Sequence, residues 1–255
     1  MCQLMAICDN EETTPKFSFK ELKIRGGGKG PHRDGWGIGF YEKKNATIYK
    51  EPEPAFASDL AKQIEDGKIQ LKSKIFVAHI RWASSGIKSM GNTHPFKKEL
   101  FGKEWIFAHN GTLKGIFEKD IGNFKTEGQT DSERAFCYIL NKLKNKCRED
   151  SSIKEISKII SETAEYISEM GNFNFIMSDS EHLFCFGHNS LHYTKRQFGN
   201  NAITLEDSDY QINVSDMKKI GEKAIIVATQ PLTKEEKWEK ITGLMVFKDG
   251  KKVFG

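Results

Sequence analysis

The run Ile75-Phe76-Val77-Ala78-His79-Ile80 constrains the fold more than any other feature of this chain. A strand with one face in water alternates apolar and polar residues, whereas a continuously apolar run needs cover on both faces. Strands are expected at 2–8, 35–41, 46–50, 74–83 and 104–109, and several of them are apolar throughout. Helical spacing follows. One helix is expected near 56–66, opening at Ala57-Ser58-Asp59 and closing at Gly67, and another over 131–147. A third follows Ser151-Ser152, carries Ile153, Ile156, Ile159, Ile160 and Ile167, and is ended by Gly171. Short strands at 173–179, 183–187, 191–195 and 223–229 come next, then a hairpin near 244–254 around Lys248-Asp249-Gly250. Phe17, Phe19 and Leu22 are expected to pack a loop lid or a short strand. Strands, then helices, then strands fit an α+β arrangement of two sheets between helical layers, although periodicity does not separate this from other layered folds. No repeat, low-complexity tract or linker divides the chain, so residues 1–255 are expected to form one domain.

Composition excludes several classes. The net charge is only +4, and lysines are interleaved with glutamates, as in Lys234-Glu235-Glu236-Lys237. No basic patch alternates with aromatics, so nucleic acid is not an expected partner. Mean hydropathy is −0.55, and no stretch nears the roughly 20 apolar residues of a membrane span. The first apolar run ends at Asp9 without a basic leader, so it does not read as a signal peptide. The five cysteines (Cys2, Cys8, Cys137, Cys147, Cys185) are an odd number without CxxC spacing. That pattern favours reduced thiols and a cytoplasmic location.

Cys2 directly follows the initiator methionine. If Met1 is removed, one Cα carries both a thiol and a free amine, with ordinary pKa values of about 8.5 and about 7.7–8.0. Moving the proton from sulfur to nitrogen then costs only about 1 kcal/mol, so one residue supplies both nucleophile and base. Cys8 lies on the same pleat face of that strand and reads as a buried small hydrophobe.

Three later segments bear on the same chemistry. Arg81 ends the 75–80 run and precedes Trp82-Ala83-Ser84-Ser85-Gly86. Asn110-Gly111 follows Trp105-Ile106-Phe107-Ala108-His109, and Thr130-Asp131-Ser132-Glu133 opens an apolar-periodic stretch. Each has a plain structural alternative: a strand-end surface charge, a type I′ hairpin turn, and a capping box. Together they suit glutamine. Arg81 can clamp the α-carboxylate bidentately and Asp131 can hold the α-ammonium, while the Asn110 amide and the Gly111 N–H can stabilise an oxyanion.

These motifs, in this order, resemble the class II glutamine amidotransferases, an N-terminal-nucleophile (Ntn) hydrolase family, and in particular its stand-alone YafJ-like subgroup. The likeness also rests on Arg25-Gly26-Gly27-Gly28-Lys29-Gly30-Pro31-His32-Arg33-Asp34-Gly35-Trp36-Gly37, on Asn92-Thr93-His94-Pro95-Phe96, and on Ala228-Thr229-Gln230-Pro231-Leu232-Thr233. It implies a four-layer αββα sandwich of two mainly antiparallel sheets. It also implies Cys2 as nucleophile with its own amine as base, Asn110 and Gly111 as the oxyanion hole, and Arg81 and Asp131 as substrate ligands. Arg25 matches an arginine that the family keeps near the nucleophile. Trp82 and His94 are carried as substrate-side residues with their motifs, His94 ordering a loop at the rim, although Trp82, like Trp36, also reads as a packing residue. Synthase-fused members have Thr-His-Gly where this chain has Ser84-Ser85-Gly86, which puts substrate contacts from that loop in question.

The implied activity is attack of Cys2 on the glutamine side-chain amide, releasing ammonia through a γ-glutamyl thioester. Nothing of synthase size follows the glutaminase region, so the expected ammonia acceptor is a separate protein or solvent. Alternatively the substrate is another γ-glutamyl amide, or the chain is a catalytically silent glutamine-sensing module. No cofactor or metal is expected. The glycines at 26–30 lack a Walker pattern, and His79, His94 and His109 match no metal-ligand spacing and read as satisfied structural histidines.

Overall fold

A computed structural model describes residues 2–83, 87–197 and 199–255. The chain opens with β1 (Gln3–Thr13), α1 (Lys16–Arg25), β2 (Trp36–Glu42), β3 (Asn45–Glu51), α2 (Asp59–Asp66) and β4 (Ser73–Ile80). The centre holds β5 (Phe96–Leu100), β6 (Lys103–Leu113), α3 (Asp131–Lys146), α4 (Ile153–Ser168), β7 (Gly171–Ser178) and β8 (Leu183–Gly187). It closes with β9 (His192–Gln197), β10 (Ala202–Thr204), β11 (Gln211–Asn213), β12 (Lys223–Ala228), β13 (Glu239–Lys240), β14 (Gly243–Lys248) and β15 (Lys251–Phe254). Among the described residues, the first sheet runs β13-β9-β12-β1-β4-β2-β3 and the second β15-β14-β8-β7-β6-β5. Neighbours pair antiparallel in both.

The apolar strands explain the layering. Alternate residues of β1 go to opposite faces, as the pleat requires. Leu4, Ala6 and Cys8 enter the core between the sheets with Val77, Ile106, Ala108, Ile176 and Val227. Met5 and Ile7 join Phe76, Ala78 and Ile80 in packing against Phe19, Leu22, Ala61 and Ile64 of α1 and α2. On the outer face of the second sheet, Phe107, Phe173 and Phe175 meet Phe136, Leu140, Ile160 and Ile167 of α3 and α4. The Phe107 and Phe136 rings lie parallel, 4.9 Å apart. Each such side chain contributes about 1.5–3 kcal/mol by leaving water. The result is the expected αββα sandwich.

Local signals set most boundaries. Ser58 Oγ accepts from Ala61 N at 2.9 Å, and Gly67 ends α2 in the left-handed region at φ 74°. Ser152 and Glu155 form a complete capping box on α4. At α3 only half of the expected box forms: Thr130 Oγ1 accepts from Glu133 N at 3.2 Å. The Glu133 carboxylate instead takes the N–H groups of Glu127 and Gly128 and pairs with Lys98 at 2.9 Å.

One expectation and one structural alternative are overturned. Phe17, Phe19 and Leu22 lie on a helix, α1, not on a loop lid or strand. Its buried residues include Glu21 and Arg25 as well as the aromatics, so no single apolar stripe marks it in the sequence. Asn110-Gly111 is not a hairpin turn but lies inside β6, where Asn110 pairs with Asn174 and Gly111 with Phe173.

Candidate active site

The β1–β4 register brings the first two groups together. Gln3 stands opposite Ile80, so Cys2, one residue before, and Arg81, one residue after, leave the sheet at the same end. Arg81 N donates to Gly35 O at 2.8 Å and Asp34 N to Arg81 O at 3.2 Å, which fixes the backbone there. The Arg81 side chain is buried, and its Nη1 donates to Ile87 O at 3.3 Å. Asp34 braces the segment. Its carboxylate accepts from Ala83 N at 2.8 Å and pairs with Lys88 at 2.9 Å. Burial opposes ionisation of Asp34, yet the Ala83 N–H and Lys88 together hold its carboxyl below the usual range.

Cys2 Sγ accepts the Trp82 N–H at 3.2 Å and lies 3.3 Å from Trp82 O. Burial pushes the thiol pKa up, and the Trp82 N–H and the Arg81 charge pull it only partly back. The thiol is therefore protonated at neutral pH and needs a base.

The second sheet supplies the facing wall. Asn110 Nδ2 donates to Cys2 O at 2.7 Å and lies 3.5 Å from Thr229 Oγ1. Thr229 in turn takes the Leu4 N–H at 2.9 Å, tying β12 to the start of β1. Asn110 Oδ1 is buried without a hydrogen-bond partner among the described residues. At Gly111 the extended β6 passes so close to β7 that a Cβ would collide with the Asn172 carbonyl. Cys2, Trp82, Ala83, Asn110, Gly111 and Asn172 line one cavity of about 380 Å³.

Asp131 opens α3, outside the lining of that cavity. As the first residue of α3 it accepts from Leu113 N at 2.8 Å and Ser132 N at 2.9 Å, holding the end of β6 against the helix. Arg25 lines a neighbouring cavity that shares Trp82 with the first. Its guanidinium is engaged by Glu21 and Asp207, at 2.9 and 2.8 Å, and by the carbonyls of Gln230 and Pro231. His94 is buried against His79 and Phe96, with ring centroids 4.1 and 4.5 Å away, instead of ordering a loop at a rim. Burial, followed by the neighbouring positive charges, drives His79 down to about 3 and His94 well below the imidazole range. His109 is satisfied as expected, by Ser132 Oγ at 2.9 Å and Asn172 O at 3.2 Å. His79 is not: no ring nitrogen of His79 or His94 meets a partner at hydrogen-bonding geometry among the described residues. Ser84, Ser85 and Gly86 lie outside the described residues.

Sequence reasoning passed over Asn174. This fully buried residue donates to Asn110 O at 3.3 Å, and its Oδ1 collects the N–H groups of His188, Asn189 and Ser190. A polar residue inside the run Phe173-Asn174-Phe175 was the available signal. A larger cavity, about 510 Å³, lies elsewhere, lined by Phe17, Arg196, Lys218 and Tyr210 among others. Its buried cations are answered within the chain, Arg196 by Glu236 and Lys218 by Asp9.

Cys2, at the head of the central strand β1, thus meets the Asn110-Gly111 pair of the second sheet inside an αββα sandwich. Residues 1–254 match the family model described as class II glutamine amidotransferases, and the chain belongs to that family. It is 41% identical over 242 residues to the YafJ protein of Escherichia coli (strain K12), covering 94% of each. It is 40% identical over 260 residues to MJ1515 of Methanocaldococcus jannaschii, covering all of this chain and 71% of that one. The crystal structure of a predicted glutamine amidotransferase from Pseudomonas aeruginosa PA01 superposes with a TM-score of 0.76 at 29% identity, over the full length of both chains. Glutamine phosphoribosylpyrophosphate amidotransferase from B. subtilis shares the fold, with a TM-score of 0.60 at 14% identity, over 98% of this chain and 48% of that one.

Proposed function

We propose that this chain hydrolyses the side-chain amide of glutamine, with Cys2 as nucleophile once Met1 is removed. The observation that carries the reading is the seat of Cys2 Sγ, 3.2 Å from the Trp82 N–H, in a cavity shared with Asn110 and Gly111. The elevated thiol needs a base, and the freed α-amine on the same Cα supplies one. The thiolate attacks the amide carbonyl, and negative charge gathers on its oxygen.

Asn110 Nδ2 has two hydrogens. One is taken by Cys2 O; the other makes only the long contact to Thr229 and is the one assigned to the oxyanion, beside the Gly111 N–H. The nitrogen leaves as ammonia with the proton held by the Cys2 amine. Water then cleaves the γ-glutamyl thioester, giving glutamate and restoring the thiol. Arg81 clamps the α-carboxylate in this reading. Asp131 offers the ammonium its remaining lone pairs, since a carboxylate has about four acceptor sites and two backbone donors use part of them.

The test is ammonia and glutamate release from L-glutamine by protein lacking Met1. Stoichiometric release that disappears in Cys2→Ala is expected. Release that persists in Cys2→Ala would remove Cys2 from the reaction.

A further inference from the structure

Ala108 of β6 and Ile176 of β7 point into the core between the sheets. Asn110 and Asn174, each two residues along, stand on the same inner face, and the register sets them directly opposite one another. Asn174 is fully buried. Its Oδ1 accepts the N–H groups of His188, Asn189 and Ser190 at 3.0, 3.0 and 3.1 Å. Its Nδ2 donates to Asn110 O at 3.3 Å and to Asn189 Oδ1 at 2.9 Å, which uses both amide hydrogens. The three backbone donors fix which way the amide faces, because exchanging its oxygen and nitrogen would set N–H against N–H. Nδ2 is therefore held toward Asn110 O. The same chain of amides continues to the cavity of the nucleophile: Asn189 Nδ2 donates at 2.9 Å to Asn172 Oδ1, and Asn172 is in the lining beside Gly111.

The carbonyl that Asn174 grips belongs to the peptide unit that joins Asn110 to Gly111. A trans peptide is planar and its N–H points away from its C=O, so holding the oxygen sets the direction of the Gly111 N–H. A hydrogen bond on the oxygen also polarises the unit and strengthens the N–H as a donor. Seating the 188–190 loop requires only the side-chain oxygen; the nitrogen serves the two acceptors on the other side. We propose that Asn174 is a positioning residue for the oxyanion hole, aiming the Gly111 N–H at the developing charge without touching the substrate. The inference rests on the reading of Cys2 as nucleophile and Gly111 as an oxyanion donor.

The variant Asn174→Asp separates the two roles. It keeps an oxygen for the three loop N–H groups, which favour its ionised form, and it removes the donor to Asn110 O. Protein lacking Met1 is assayed at about pH 8 for kcat and KM with L-glutamine. Inhibition by glutamate γ-semialdehyde is measured alongside, because addition of the Cys2 thiolate to the aldehyde carbon gives a tetrahedral adduct with its oxygen in the hole. Misaiming one donor is expected to lower kcat about tenfold and raise the inhibition constant about tenfold, short of the roughly 100- to 1,000-fold cost of losing it. KM is expected to stay within about twofold, since the contact forms only as charge develops. Asn189→Ala removes an exposed side chain that orients the same amide, and is expected to shift kcat and the inhibition constant about threefold in the same directions. Wild-type kcat and aldehyde affinity in folded Asn174→Asp overturn the assignment, as does a raised KM with kcat unchanged. If Asn174→Asp does not fold, wild-type values in Asn189→Ala overturn it. Absence of glutamine turnover in the unsubstituted protein overturns the Cys2 reading, and the assignment falls with it.

Discussion

Asn110 Nδ2 donates to the main-chain oxygen of Cys2 at 2.7 Å, a bond between the second sheet and the head of the first. It joins residues 108 positions apart and fixes the nucleophile against the wall it works with. The same side chain therefore orients Cys2 and, in the proposed mechanism, receives developing charge. Asn110→Ala is expected to lower kcat for glutamine roughly 100- to 1,000-fold with a smaller change in KM, the usual cost of an oxyanion donor. Steady-state kinetics decides it, and an unchanged kcat would take Asn110 out of the oxyanion hole.

Arg81 contributes differently. A carboxylate clamp acts equally in the ground and transition states, so Arg81→Ala is expected to raise KM roughly 10- to 100-fold while kcat moves little. Glutamine titration of the rate checks this. A normal KM would mean that the buried guanidinium serves only the fold.

Gly111→Ala tests the close approach of β6 to β7. A Cβ there runs into the Asn172 carbonyl, and neither strand can yield without moving the other. A loss of about 1–3 kcal/mol in unfolding free energy is expected, along with a drop in kcat as the backbone N–H shifts. Urea unfolding with matched kinetics measures both, and wild-type values in each would show that the strands separate freely.

The buried pair His79 and His94 sets a pH dependence. Their folded pKa values are depressed, His79 to about 3, below an unfolded value of about 6.5. The unfolded chain therefore binds more protons below that value, so their contribution is fully present above pH about 6.5 and is lost as the pH falls toward 3. Urea midpoints from pH 7.5 down to pH 5 are expected to fall, and to fall less steeply in His79→Gln. Equal slopes would show that other groups carry the acid sensitivity.

Much of this was legible in the residues. Continuous apolar runs such as Ile75–Ile80 announced strands covered on both faces, and Ser58, Thr130, Ser152 and Gly67 marked helix ends through their capping chemistry. Family motifs point to Cys2, Arg81, Asn110 and Gly111, which the fold gathers near the head of β1. What stayed hidden depends on partners far along the chain. Helix α1 buries charged Glu21 and Arg25 beside Phe19 because Asp207 and the 230–231 carbonyls come from the other end of the chain. His94 looked like a rim residue because nothing local shows that His79 lies against it. Asn174 satisfies three N–H groups of a loop 14 to 16 residues away, a role that local spacing does not reveal.

The central claim is that a processed Cys2 attacks a glutamine-shaped carbonyl. Intact-mass measurement of purified protein, before and after exposure to a glutamine-shaped diazoketone, tests it most directly. Loss of one methionine and gain of one adduct, absent in Cys2→Ala, is the predicted result. A retained methionine, or a processed chain that takes no adduct, would contradict the account.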